Sequence, residues 1–320
     1  VDLTPCAPDE LPAALAAVLA GERVVAPLPA SGHGPVLQAL RPDLPVEVEA
    51  GVVVATSGST GVPKAVVLSA AAISASAAAT HARLGGGPGD WVCVLPTHHV
   101  AGMMTVARAV HAGRGVRFAG PDLAELPSPS GRTYLSVVGA QLYRAAADSE
   151  LLARLRGYAA VLVGGSAVSP RLLDEVRAAG VRLVTTYGMA ETCGGCVYDG
   201  VALDGVRIGV EDGRITLGGP VVFSGYRLDP ALTAEVLHGD TVWTQDRGRL
   251  SGGRLEVTGR VDDVVVSGGV NVDLAEAQRI AEDVLGPPEA GGPVLLAVTD
   301  PRWGHKVVAV STGAASHEAV

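Results

Sequence analysis

Val52-Val53-Val54-Ala55-Thr56-Ser57-Gly58-Ser59-Thr60-Gly61-Val62-Pro63-Lys64 is the stretch on which the reading of this chain turns. Its first four residues are an apolar, mostly β-branched run that reads as a buried strand. Four hydroxyl side chains and two glycines follow within residues 56–61, with Lys64 behind them. Glycines let backbone N–H groups approach an anion closely, hydroxyls add donors, and a lysine adds a mobile positive charge. Such a segment is a phosphate-holding loop. It is not the G-x-x-x-x-G-K-[ST] loop of P-loop nucleotidases, because Pro63 precedes the lysine and Ala65 follows it. A strand before it and an Ala-rich helical stretch after it argue against a flexible Ser/Gly linker.

Outward from this loop, strands alternate with Ala-rich helices. Val92–Leu95, Tyr134–Val138, Ala160–Val163 and Arg182–Thr185 are strand-like, whereas Ala70–Leu84, Ala101–Ala112, Ala140–Ala147 and Pro170–Ala179 are helix-like. Pro170 suits a first helical turn behind Ser169 as cap, and Gly180 suits its end. The alternation predicts layered α/β structure with parallel strands. From about residue 196, short glycine-spaced strands such as Gly213–Leu217 and Arg254–Val257 predict a small, mostly antiparallel β subdomain. After Gly259 come a strand at 264–266, a helix over 273–285 and strands at 294–298 and 307–311. The expected fold class is therefore α/β, a large multi-subdomain core over 1–260 and a small α+β cap over 261–320.

With 320 residues the chain is long enough for both parts. Hydrophobic residues make 48% of it but aromatics only 3%, the excess being Ala, Val, Leu and Gly. None of this forms the uninterrupted apolar run of roughly 18 residues that a membrane helix needs, and the first residues lack a secretory pattern. A net charge of −9 disfavours nucleic acid as a partner. Cys193-Gly-Gly-Cys196 has metal-ligand spacing but no second pair, so buried thiols in a reducing cytoplasm are the expectation for all four cysteines. Oligomeric state is not written in the sequence; an apolar, Ala-rich surface is no more than a hint of a homodimer.

Several further segments carry chemistry. Tyr187-Gly188-Met189-Ala190-Glu191-Thr192, Thr244-Gln245-Asp246, Gly259-Arg260-Val261-Asp262-Asp263 and Ser267-Gly268-Gly269 follow the phosphate loop in that order. With them, the chain resembles the adenylate-forming enzymes, the acyl- and aryl-CoA ligases, across nearly its whole length. These activate a carboxylic acid by attack on the α-phosphate of ATP, and the thiol of coenzyme A then displaces AMP.

The resemblance implies roles residue by residue. Thr56, Ser57, Gly58, Ser59, Thr60, Gly61 and Lys64 would hold the β- and γ-phosphates, and Thr192 would donate to the α-phosphate. Glu191 would hold Mg²⁺. Gly164, Gly165 and Ser166 would make a slot for the base, covered by Tyr187 beside Gly188. Asp246 would accept the ribose hydroxyls and Arg260 donate to them; Gln245 stands where the family usually has glycine. In Pro96-Thr97-His98-His99-Val100-Ala101-Gly102, His99 matches the imidazole between acyl pocket and pantetheine tunnel, gating or steering the acid. Asp262 matches the hinge of a rotating cap, and Gly268 and Gly269 the loop that lines the coenzyme A tunnel.

The short segment upstream of the phosphate loop narrows the resemblance. So do Ala140-Gln141-Leu142, the run Tyr187 to Gly200 and the stretch Gly218 to Arg227. They look like the compact o-succinylbenzoate–CoA ligases of actinobacterial menaquinone synthesis, which implies o-succinylbenzoate as the acid. Its second carboxylate must be paired in a mostly apolar pocket; His99, Gln141 and Ser166 are the candidates, with Gly188 beside them. The alternatives are a ligase for another aryl or short acyl acid, or an adenylate-binding protein lacking full catalysis. The resemblance also implies a lysine in a Gly-Lys context beyond Lys306, and none occurs before Val320. The expectation is a cap that stops short of its natural terminus, giving poor adenylation but retained thioester formation.

Overall fold

Two parallel strands, β1 (Leu3–Cys6) and β2 (Val24–Pro27), flank helix α1 (Leu11–Leu19) and open a five-stranded sheet in the computed structural model, which describes residues 2–57, 63–286, 288 and 291–311. Leu11, Leu15 and Val18 of α1 recur at helical spacing and are buried on one face. After α2 (Gly34–Leu40), strand β3 (Ala50–Ser57) joins parallel to β2, and β4 (Pro63–Ser69) runs back antiparallel to β3. The phosphate-loop segment therefore lies between the arms of a hairpin. The helix expected over 70–84 is present, but a strand the sequence pattern missed precedes it. Val66-Val67-Leu68 is a second buried strand, and the Ala-rich helix α3 (Ala70–Arg83) starts only behind it, capped by the hydroxyl of Ser69 on the Ala72 N–H.

The predicted α/β alternation follows. Strands β5 (Asp90–Cys93), β6 (Val116–Phe118), β7 (Thr133–Val138), β8 (Ala160–Gly164) and β9 (Leu183–Met189) pair in parallel, and β10 (Gly194–Tyr198) and β11 (Val201–Ala202) extend the sheet antiparallel. Helices α4 (Val100–His111), α5 (Gly139–Ala146), α6 (Ser149–Leu155) and α7 (Pro170–Ala178) connect them. Ser169 does stand at the cap of α7, but it makes no cap hydrogen bond. The sequence pattern missed α2, α6 and the three-residue β6, all short elements with weak periodicity.

Buried side chains define the layers. Val52, Val54, Val66 and Leu68 on one face of the first sheet meet Leu15, Ile73, Met103, Met104 and Val106 of α1, α3 and α4. The opposite face, with Val53 and Val67, packs on Leu40 of α2. The second sheet places Val92, Leu135, Val161 and Val163 against Leu142, Leu155 and Val176 of α5, α6 and α7. Helix α4 lies in the middle, buried from Gly102 to Ala109.

The chain divides into two compact units, Val1–Ile208 with Leu217–Val242 and Gly209–Thr216 with Trp243–Val320. Beyond β12 (Arg207–Glu211) and β13 (Arg214–Gly218), strand β14 (Gly225–Tyr226) returns to the first sheet, antiparallel to β4, ahead of α8 (Pro230–Val236). Strand β15 (Leu237–His238) pairs with the start of β16 (Thr241–Ser251). In the second unit β16 runs antiparallel to β17 (Arg254–Arg260), as the glycine-spaced texture predicts. There β18 (Val264–Ser267), β19 (Val270–Asp273), β20 (Val294–Asp300) and β21 (Gly304–Val310) form a four-stranded sheet in the order β19-β18-β21-β20, with α9 (Leu274–Leu285) capped by Asp273.

Candidate active site

In the first unit, the β3–β4 hairpin sets Thr56 opposite Lys64 and Ser57 opposite Pro63, and the Thr56 hydroxyl lies 3.4 Å from the Lys64 carbonyl. Gly58, Ser59, Thr60 and Gly61 lie outside the described residues. Lys64 shares its strand face with Val66 and Leu68, and its Nζ sits 5.5 Å from the ring centroid of Tyr226. A cavity of about 340 Å³ opens here, lined by Lys64, Ala65, Tyr226, Arg227 and Asp229 among others.

Tyr226 connects Lys64 to the second signature. Its hydroxyl donates to Oε1 of Glu191 at 2.7 Å, and the Phe223 N–H donates to the Glu191 carbonyl at 2.9 Å. Burial, and then the Glu191 charge, push the phenol well above its ordinary range, so it holds its proton. Glu191 stands in a 3₁₀ turn, Ala190–Thr192, between β9 and β10. Thr192 is fully buried. Its Oγ1 accepts from the Met189 N–H at 3.0 Å and donates to the Gly194 carbonyl at 2.8 Å, closing the turn that presents Glu191.

The Glu191 carboxylate is the kind of oxygen ligand that a hard cation takes. Tyr226 occupies one carboxylate oxygen, and no hydrogen bond reaches Oε2 from the described residues. No group of three or more His, Cys, Asp or Glu side chains forms a metal cage among those residues. One protein carboxylate, with water and phosphate oxygens, is what Mg²⁺ takes in nucleotide sites. Cys193 and Cys196 are buried and unbridged, with thiol pKa values raised by burial, that of Cys196 to about 12.

Tyr187 and Gly188 lie near the end of β9, and Gly188 has no room for a side chain: a Cβ would meet the Gly194 carbonyl and come within 2.8 Å of the Gly195 Cα. At Gly164 the equivalent space is filled by Thr186 from the neighbouring strand, so that glycine serves strand packing. Gly165 and Ser166 are exposed in the turn that follows. His99 stands just before α4, with its ring 4.1 Å from that of His98 and much of its surface in solvent. Partial burial holds both imidazoles below the ordinary histidine value, His98 also through its neighbour. Gln141 is buried and committed to the backbone, accepting from the Val138 N–H at 3.0 Å and donating to the Pro121 and Val94 carbonyls at 2.9 and 3.3 Å. Of the three polar candidates for the acid, His99 and Ser166 face solvent and Gln141 does not.

In the second unit, Asp246 stands opposite Arg260 across β16 and β17. Arg260 Nη1 lies 3.4 Å from Asp246 Oδ1, and its Nε and Nη2 donate to both Asp262 oxygens at 2.8 and 2.9 Å. The fork holds the Asp262 carboxyl below its ordinary pKa. Thr244 fixes the Asp246 backbone, its hydroxyl accepting from the Asp246 N–H at 3.1 Å. Gly268 and Gly269 turn between β18 and β19 with φ of 57° and 83°, and Trp303 packs against Gly268.

Two residues the sequence reading left without a role are Tyr226 and Arg227. Their signal was the Tyr-Arg pair that ends the Gly218–Arg227 stretch, just ahead of the Asp-Pro helix start. The Arg227 side chain is fully buried. It donates to the carbonyls of Leu40, Arg41, Leu44 and Pro45 and to Glu47.

Residues 40–227 match the AMP-binding enzyme family. A probable 2-succinylbenzoate–CoA ligase of Mycobacterium tuberculosis is 41% identical over 292 residues, 87% of this chain and 74% of that protein. The 2-succinylbenzoate–CoA ligase of Salmonella typhimurium is 33% identical over 267 residues, 80% of this chain and 56% of that one. Escherichia coli MenE with a bound analogue of OSB-AMS superposes with a TM-score of 0.76 at 25% identity, covering 100% of this chain and 80% of that structure. The Bacillus subtilis enzyme gives 0.80 at 21% identity over 98% of this chain and 79% of its own, a likeness of fold. With its signature segments in family order and this breadth of match, the chain belongs to the AMP-binding enzyme family.

Proposed function

We propose that this chain ligates coenzyme A to 2-succinylbenzoate (o-succinylbenzoate) at the expense of ATP. The acid's carboxylate oxygen attacks the α-phosphorus, forming the acyl-adenylate and releasing pyrophosphate. The coenzyme A sulfur then attacks the acyl carbon, forming the thioester and releasing AMP. The observation that carries the reading is the run of contacts Lys64–Tyr226–Glu191, which sets a cation and a carboxylate on one tyrosine beside the phosphate-loop hairpin. The 41% identity to the mycobacterial ligase supports the choice of acid.

Charge on phosphate oxygens builds in the first step, so the residues act by positioning and electrostatic stabilisation. Lys64, with Thr56, Ser57 and the loop between them, holds the β- and γ-phosphates. Glu191 is the residue to hold Mg²⁺, which when bound neutralises charge on the phosphates. Thr192, in the turn beneath it, serves the α-phosphate. Tyr187 covers the base against the Gly164–Ser166 turn, and Asp246 with Arg260 holds the ribose. His99 borders the acid. Asp262 serves as hinge between a 1–260 core and a 261–320 cap, whose Gly268 and Gly269 line the coenzyme A path. Four unbridged cysteines accord with a cytoplasmic location. A homodimer completes the proposal, and sedimentation equilibrium measures it directly.

The test is ATP–pyrophosphate exchange with a panel of acids, alongside thioester formation from preformed acyl-adenylates. 2-Succinylbenzoate should exceed benzoate and hexanoate in both, because a site built to pair a second carboxylate is left unsatisfied by acids lacking it. Equal use of benzoate would leave the ligase chemistry but remove this substrate.

A further inference from the structure

We propose that Tyr226 is the positioning residue of the metal end of this site: it fixes the direction of the Glu191 carboxylate and so sets the affinity for the divalent cation. The inference rests on the reading that Glu191 holds Mg²⁺.

Tyr226 is itself held from several sides. Its strand pairs with Val66 of β4, its N–H donates to the Thr233 hydroxyl at 2.9 Å, and its ring meets the edge of Phe223 at 5.0 Å. The next residue, Arg227, is anchored in a shell of backbone carbonyls. A phenol so fixed is a rigid donor. Glu191, by contrast, has a long side chain whose rotamers a backbone turn cannot choose.

The contact at 2.7 Å commits Oε1 and leaves Oε2 as the oxygen to present. The same ring carries Lys64 at 5.5 Å, so one side chain sets the spacing between the cation of the phosphate loop and the carboxylate of the metal site. A tyrosine present only for packing would need its ring and not its hydroxyl. The two roles separate at one oxygen atom.

Mn²⁺ binding followed by electron paramagnetic resonance, with α,β-methylene-ATP bound to the full chain, measures the effect directly. Tyr226→Phe keeps the ring, its contact with Phe223 and its place under Lys64. We expect its Mn²⁺ dissociation constant to rise about tenfold, as for loss of an outer-sphere partner of a ligating carboxylate. AMP affinity in the presence of EDTA, and the far-ultraviolet circular dichroism spectrum, should match the parent. Glu191→Gln should lose Mn²⁺ more severely, and adding Tyr226→Phe to it should change nothing further. If Tyr226→Phe binds Mn²⁺ like the parent while Glu191→Gln does not, the positioning role is overturned and the metal reading stands. If neither substitution alters Mn²⁺ binding, the metal reading fails and takes this inference with it.

Discussion

Arg227 and Glu47 form an ion pair at 2.8 Å, with the arginine side chain fully buried and the glutamate about one-third exposed. The remaining guanidinium hydrogens go to four backbone carbonyls between Leu40 and Pro45, so all five donors are used. This clasp ties β14 to the segment that follows α2.

Arg227→Met should destabilise the first unit by about 3 kcal/mol or more, because it orphans four carbonyls and a carboxylate. Arg227→Lys should recover little of it, since an ammonium offers three donors in place of a planar fork. Urea denaturation of both variants measures the loss, and a midpoint for Arg227→Lys equal to the parent's contradicts the clasp.

Lys64→Ala removes one charged phosphate contact, worth about 1.5–3 kcal/mol. The acid-dependent ATP–pyrophosphate exchange rate should fall roughly tenfold to a hundredfold with an unchanged melting temperature. An unaltered rate in the folded variant removes Lys64 from the phosphate site.

Asp246→Asn should weaken ATP and AMP binding alike, by roughly tenfold each, since both nucleotides carry the same ribose. Calorimetric titration with each nucleotide separates this from a phosphate effect. A loss confined to ATP would place Asp246 elsewhere than at the sugar.

The pH dependence of stability should carry the mark of His81 in α3. Its Nε2 accepts from Trp91 Nε1 at 3.2 Å, and burial, with the charges of Arg108 and His111 beside it, depresses its pKa from 6.5 to about 4. The unfolded chain therefore takes up this proton first as pH falls. The stabilisation is complete above pH 6.5 and is lost progressively toward pH 4. His81→Gln, whose amide oxygen can accept from Trp91, should melt with a shallower dependence on pH across that window. Equal slopes for parent and variant would clear His81 of the effect.

The sequence by itself determined the layered α/β class, the antiparallel texture near 196 and the three-texture order of the chain, because hydrophobic period and glycine spacing are written locally. It also marked the segment proposed to hold phosphate, since hydroxyls, glycines and a lysine fall within a few residues of one another. Tertiary structure decided what those side chains touch. Tyr226 meets Glu191 across 35 positions and Arg227 meets Glu47 across 180, distances at which no local pattern specifies a partner. It turned Thr192 inward to close its own turn and spent Gln141 on three backbone groups, because buried polar atoms take the nearest complement that packing brings. It also made β4 a strand, since Val66 to Leu68 pair with β3 before the alanines can begin a helix. A residue type limits the chemistry a position can do, and the packing around it decides which of those uses is realised.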